Sequence, residues 1–352
     1  MYKVEDETVL DSEGNIIFFD INRFIKDICL GNCCFICGKS PHERKFNNEH
    51  ILPKWILRKY KLFNKKIILP NNSDFNYSKY VIPCCFECNK LMNEEFEKPI
   101  KQLLEGGYKV LTDYLKREGP WKIYVWLNII FLKTHFKDKS LKLHLKENGE
   151  SKIADFYTWE ELHHIHCIAR SFYTKAMLDK MVLGSFLILP AKNLDYIEPF
   201  DYSDIYDSKT IFLRLNDIAL IAVLNDSGIS QQIISFFLEK ISDCVSPLQL
   251  KEIFARLSFA NLHLKNRPKF FSDFNLSKET HKISAHVSNE IELDEIDSNK
   301  FGKLMLFCCK DLINRYDNDQ YIAICKKIEI GNYTFILDSN NQFVHNSMDE
   351  VN

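Results

Sequence analysis

Glycine and proline are scarce in this chain, 11 and 10 of 352 residues, and no internal repeat is evident. With frequent Lys, Asn and Ile, that scarcity suggests an AT-rich bacterial genome. No run of 18 apolar residues exists, so no membrane-spanning helix is expected. The N-terminus, Met1-Tyr2-Lys3-Val4-Glu5-Asp6-Glu7, is acidic and has no apolar core of a secretory signal. The expected location is therefore cytoplasmic. Residues 106–352 hold no Walker motif, no dinucleotide-type glycine loop and no nucleophile elbow. A net charge of only −2 argues against a protein that coats nucleic acid.

What is present begins with cysteine. Twelve cysteines in a chain without a secretory signal fit a reducing compartment, which turns attention from disulfides to metal. Cys34-Phe35-Ile36-Cys37 and Cys85-Phe86-Glu87-Cys88 are two Cys-x-x-Cys turns. Each lets two thiolates face one tetrahedral ion, and together they complete a closed zinc site. Gly38 suits the first turn, because a residue without Cβ lets backbone fold around the sulfurs. Cys33 and Cys84 are adjacent spares. The 47 residues between Cys37 and Cys85 make a long insert, and they contain Glu49-His50-Ile51-Leu52-Pro53. Asn89 follows the last cysteine of the second turn.

The order Cys-x-x-Cys, Glu-His-Ile-x-Pro, Cys-x-x-Cys-Asn resembles the HNH endonucleases, whose ββα-metal fold has a zinc-bound variant. The resemblance covers about residues 30–105. It implies that His50 ends the first strand of a hairpin and is the general base, with Glu49 and Asn89 ligands of a catalytic cation. Imidazole has the right pKa to take a proton from water near neutral pH. Oxygen ligands suit Mg²⁺ or Mn²⁺, which would stabilise the leaving 3′-oxygen. Asn93, four residues after Asn89, shares its helical face and is a further candidate ligand. The implied activity is DNA phosphodiester hydrolysis giving 5′-phosphate and 3′-hydroxyl ends. Two departures stand out. The family's middle Asn is replaced by Tyr80, with Asn71, Asn72 and Asn76 as possible substitutes, and the last ligand is Asn where His is usual. HNH modules fused to unrelated C-terminal domains occur in restriction and antiphage systems, which makes bacterial defence the implied context. An RNA-directed nuclease and a zinc-stabilised nucleic-acid or protein binding module without catalysis are the competing readings.

Charge is unevenly placed. Residues 34–100 carry twelve Lys/Arg against seven Asp/Glu, so the remainder is net acidic. Lys54, Arg58, Lys59, Lys61, Lys65 and Lys66 follow His50 with no acid among them, interleaved with Trp55, Tyr60 and Phe63. This stretch is the candidate DNA contact.

The expected fold class is α+β: an N-terminal ββα-metal zinc module over 1–105, then a larger mixed domain over 106–352. That second domain would serve target recognition, oligomerisation or regulation, through a homo-oligomer or a partner protein. Residues 1–30 read as a hairpin and a helix capped by Asp20. Helices are expected over Ile100–Lys116, Trp121–Phe136 (apolar nearly all round, hence central) and Thr158–Val182. The last carries His163, His164 and His166, whose spacing does not put all three on one face. Strands are expected at Phe186–Leu189, Thr210–Leu215 and Ile218–Leu224, then helices at Ser230–Ile241, Pro247–Leu257 and Phe301–Tyr316. Residues 272–299 read as a surface loop, and Tyr321–Ile330 with Tyr333–Leu337 as a hairpin.

Overall fold

The computed structural model describes residues 1–144, 150–315 and 318–345. The fold is mixed α+β, and the chain separates into two units. The first takes Met1–Glu105, Gly119–Lys180 and Phe270–Ser284; the second takes Gly106–Glu118, Met181–Lys269 and Ala285–Asn352. Residues from beyond position 105 thus complete the unit that holds the cysteines.

In the first unit, strand β1 (Phe46–His50) pairs antiparallel with β2 (Val81–Cys85), with Phe46 opposite Cys85 and His50 opposite Val81. Helix α1 (Phe86–Met92) starts directly after β2, because the Cys85 sulfur accepts the Cys88 N–H and caps it. The helix continues through a π-helical stretch, Asn93–Glu97, into Lys98–Glu105. Pro99 has no N–H for the Glu95 carbonyl four residues back. The Lys122 ammonium donates to that carbonyl instead, at 3.1 Å, and the helix runs on rather than ending. Asn71 ties down the loop between the strands: its side chain donates to the Lys142 carbonyl and accepts from Ser73.

Helix α2 (Trp121–Asp138) buries fifteen of its 18 residues, which makes it the core of this unit as its apolar pattern predicts. Helix α3 (His163–Ala169) packs beside it. The expected helix over Thr158–Val182 is broken, since Lys175 takes a left-handed φ of 58° and a short strand, Met177–Leu178, follows. Its histidines are structural. His163 Nε2 donates to the Phe19 carbonyl and His166 Nε2 to the Phe35 carbonyl, each at 2.7 Å, while His164 stacks on Phe270. Arg170, just past α3, is 1 % exposed and gives its guanidinium N–H groups to the carbonyls of Ile16, Ile17 and Ile36.

The second unit centres on an antiparallel sheet of β3 (Phe186–Pro190), β4 (Phe200–Ile205), β5 (Thr210–Leu215) and β6 (Ile218–Val223), in the order β4-β5-β6-β3. Every residue of β5 and β6 is buried; β6 is apolar throughout, and β5 encloses Arg214, whose guanidinium donates to the carbonyls of Lys192 and Glu198. Helix α4 (Pro247–Leu262), opened by a Ser246–Gln249 capping box, packs Leu250, Ile253, Phe254 and Leu257 onto Phe212, Ile221 and Val223.

Four other expectations fail. Residues 272–299 contain a strand, Thr280–His286, preceded by Lys269–Asn275, whose alternating half-burial reads in sequence as polarity. The hairpin expected over Tyr321–Ile330 and Tyr333–Leu337 is absent: residues 321–329 lie in a helix, Asn318–Glu329, because Ile324 and Ile328, four apart, share the buried face, and Leu337 makes only an isolated bridge to Phe343. The helix expected over Ile100–Lys116 is split at Gly107, where φ is +81°. The helix expected over Ser230–Ile241 is two short ones, Ile229–Ile233 and Ser235–Lys240. The helix expected over Phe301–Tyr316 runs Ser298–Ile313; Tyr316, its expected end, lies outside the described residues.

Arg170→Met should leave three enclosed carbonyls without donors. Urea unfolding is expected to show a loss of about 3–5 kcal/mol; a loss under about 1 kcal/mol would mean that the guanidinium is not what holds these loops.

Candidate functional site

Gly38 shapes the first cysteine turn. Its φ is +77°, and a Cβ there would lie 2.5 Å from the Phe19 ring. The Gly38 N–H donates to the Cys34 carbonyl, and the Cys34 N–H to the Lys39 carbonyl, closing a loop around the sulfurs. The second turn is the β2–α1 junction. Together they bring the sulfurs of Cys34, Cys37, Cys85 and Cys88 within 4.8 Å of one another, all buried. A tetrahedral zinc thiolate site, with Zn–S near 2.3 Å, has sulfurs about 3.8 Å apart; Cys37 and Cys85 are 3.7 Å apart. Four cysteines at this spacing could hold a metal ion such as zinc. Cys84, 3.8 Å from Cys34, borders the group without joining it, and Cys33 is also outside. Crowding splits the thiols. S–H donors from Cys37, Cys84, Cys85 and Cys88 draw Cys34 well below the usual thiol range, while the contact with Cys34 pushes Cys85 and Cys88 up. A divalent cation would resolve that conflict by binding all four as thiolates.

Beside this cluster lies a cleft of about 410 Å³. It is lined from β1 by Asn47, Glu49 and His50, and from the short helix that follows, Lys54–Lys59, by Lys54, Trp55 and Arg58. The helix after β2 contributes Phe86, Asn89, Lys90, Asn93, Glu97, Lys98 and Lys101. The spacing Asn89, Asn93, Glu97, Lys101 runs down one side of that helix, and the π-helical turn falls in its middle.

The structure therefore gathers His50, Glu49, Asn89 and Asn93 around one cleft. The engagement of two of them differs from a bare ligand set. Glu49 is buried, and its Oε1 accepts from the Lys133 ammonium at 2.7 Å; the same ammonium donates to the His50 carbonyl at 2.7 Å. Asn89 Nδ2 donates to Asn47 Oδ1 at 2.9 Å, which leaves Asn89 Oδ1 as its unengaged acceptor. His50 is half-buried, edge-on to Phe63, and its Nδ1 is enclosed without a hydrogen-bond partner. Burial, helped by Lys54, lowers its pKa, so the ring is neutral at pH 7.

Of the six basic residues singled out in sequence, Lys54 and Arg58 line the cleft. Lys59, Lys61, Lys65 and Lys66 do not, and Lys66 is paired with Asp74 at 2.9 Å. The cleft draws its other cations, Lys90, Lys98 and Lys101, from the helix. Glu97, which the sequence reading does not single out, lines the cleft four residues after Asn93. Burial, with the Glu49 charge adding to it, raises its pKa to about 7.

Two outcomes follow. Purified protein should carry one tightly bound ion per chain by elemental analysis; Cys84→Ala should keep it, and Cys88→Ser should lose both ion and fold. Glu97 holds its proton more tightly folded than unfolded. The stability this confers is present below the ordinary carboxyl range and lost as pH rises through about 7. Glu97→Gln should therefore melt increasingly above wild type between pH 5.5 and pH 8; a constant gap would show that the carboxyl is not perturbed.

No family model matches the chain, and neither a curated protein nor a solved structure matches it.

Proposed function

We propose that the first unit is an HNH-type, metal-dependent endonuclease acting on DNA, built on a ββα-metal module with a structural zinc. The observation that carries this reading is the meeting of His50, Glu49, Asn89 and Asn93 in one basic cleft, next to four clustered cysteines. A strand pair followed at once by a helix is the order that the HNH resemblance implies.

His50 would take the proton from the attacking water. Its half-buried ring is neutral at pH 7 and has hydrogen-bonding capacity to spare. Lys54, Arg58, Lys98 and Lys101 would hold the phosphates on either side of the reacting group. The second oxygen of Glu49 and the Oδ1 of Asn89, with Asn93 beside them, form a hard-donor set suited to Mg²⁺ or Mn²⁺. Such a cation supplies Lewis-acid stabilisation of the leaving oxygen. Glu97 adds a carboxyl on the same helix side.

One observation favours a second reading, a binding module without catalysis. Glu49 and Asn89 each already satisfy a neighbour, Lys133 and Asn47, as residues of a purely structural network would.

The deciding experiment is cleavage of supercoiled plasmid, single-stranded DNA and RNA by wild type and His50→Ala, with EDTA, Mg²⁺ or Mn²⁺. Metal-dependent cleavage is expected, falling at least about 100-fold in the variant. Its rate should be level at neutral pH and fall only on acidification below the ordinary imidazole range, since the pKa of His50 is lowered. Equal cleavage by both proteins would remove His50 as the base. Binding without cleavage would favour the module, and RNA-only cleavage would change the substrate.

A further inference from the structure

We propose that Lys133 is a positioning residue of this cleft: its buried ammonium sets the Glu49 carboxylate and the end of strand β1 at His50. This deepens the nuclease reading and rests on it.

Lys133 lies 83 residues after His50, in the middle of α2, outside the stretch that carries the Glu-His pair. It is 2 % exposed. Its neighbours Ile129, Ile130, Phe131 and Leu132 are buried and apolar, as a core helix requires. An ammonium in such a setting is costly unless it is paired and hydrogen-bonded, and an apolar side chain would meet a purely stabilising need better. Here the ammonium is fully directed. It donates to the side chain of one residue and to the backbone of the next, both at 2.7 Å. One bond fixes which carboxylate oxygen of Glu49 is occupied and leaves the other available. The second holds the carbonyl of the residue whose imidazole lines the cleft.

The arrangement is that of an outer partner to a metal-binding carboxylate, which orients the ligand without touching the ion. Lys133 itself is absent from the cleft lining and has no path to nucleic acid.

The test uses the full chain as wild type, Lys133→Met and Lys133→Arg, with circular dichroism and zinc content confirming the fold of each. Two measurements are made: plasmid cleavage against Mn²⁺ concentration, and Mn²⁺ binding without DNA, followed by electron paramagnetic resonance. Lys133→Met is expected to lose about 10- to 100-fold in kcat and in Mn²⁺ affinity, with KM for DNA unchanged. Lys133→Arg, which keeps the charge and the donors, should recover part of both. A merely structural lysine would lower the melting temperature and leave the Mn²⁺ dependence as in wild type, and that result overturns the proposal. If Lys133→Met does not fold, Lys133→Gln decides, since it keeps donor atoms but not the charge: a folded variant with lowered Mn²⁺ affinity and kcat supports positioning, and one with wild-type values overturns it. Wild type that neither cleaves nor binds Mn²⁺ overturns the nuclease reading itself; a wild type that does both while Lys133→Met matches it overturns only the role of Lys133.

Discussion

Four sulfurs converging from two turns some 50 residues apart set the geometry of the first unit. Cys85 ends β2, caps α1 and belongs to the sulfur group at once. Fixing that one residue therefore fixes where the helix begins, and with it the direction of Asn89, Asn93 and Glu97. The same residue sits opposite Phe46, so the strand register carries the constraint four residues along to His50. A shift of one residue would turn Glu49 and His50 to opposite sides from those they now face.

Around that frame the charges are sorted by depth. Cations reach the mouth of the cleft on Lys54, Arg58, Lys98 and Lys101, whereas the carboxylates of Glu49 and Glu97 lie toward the interior with Lys133. Solvent screens the outer charges and barely touches the inner ones. The outer set is suited to attracting a polyanion, and the inner set to fixing particular atoms.

The residues legible in sequence were those whose meaning lies in short spacing. Two Cys-x-x-Cys turns, an acid-histidine pair and a helix face four residues apart need no knowledge of the fold. Lys133 was hidden because its partners are over 80 residues away and it sits in a run of isoleucine, phenylalanine and leucine. Glu97 looked like one acid among several in Asn93-Glu94-Glu95-Phe96-Glu97 until the π-helical turn showed which side it faces. His163 and His166 bind carbonyls of distant loops, a role with no spacing signature. Strand β6 was readable because burial on both faces leaves an unbroken apolar run, and β5 because a single buried charge, Arg214, interrupts one, while the half-exposed strand Lys269–Asn275 shows mainly its polar side.

The first unit is threaded from three separate stretches, and this dictates when it can form. During synthesis at about 5–20 residues per second, both cysteine turns emerge long before α2 brings Lys133 and before Arg170 arrives to bind the carbonyls of Ile16, Ile17 and Ile36. The final stretch, Phe270–Ser284, comes later still. A nascent chain thus has both cysteine turns in hand before the residues that tie them to the rest of the unit exist, and the unit closes only when its last stretch has been made.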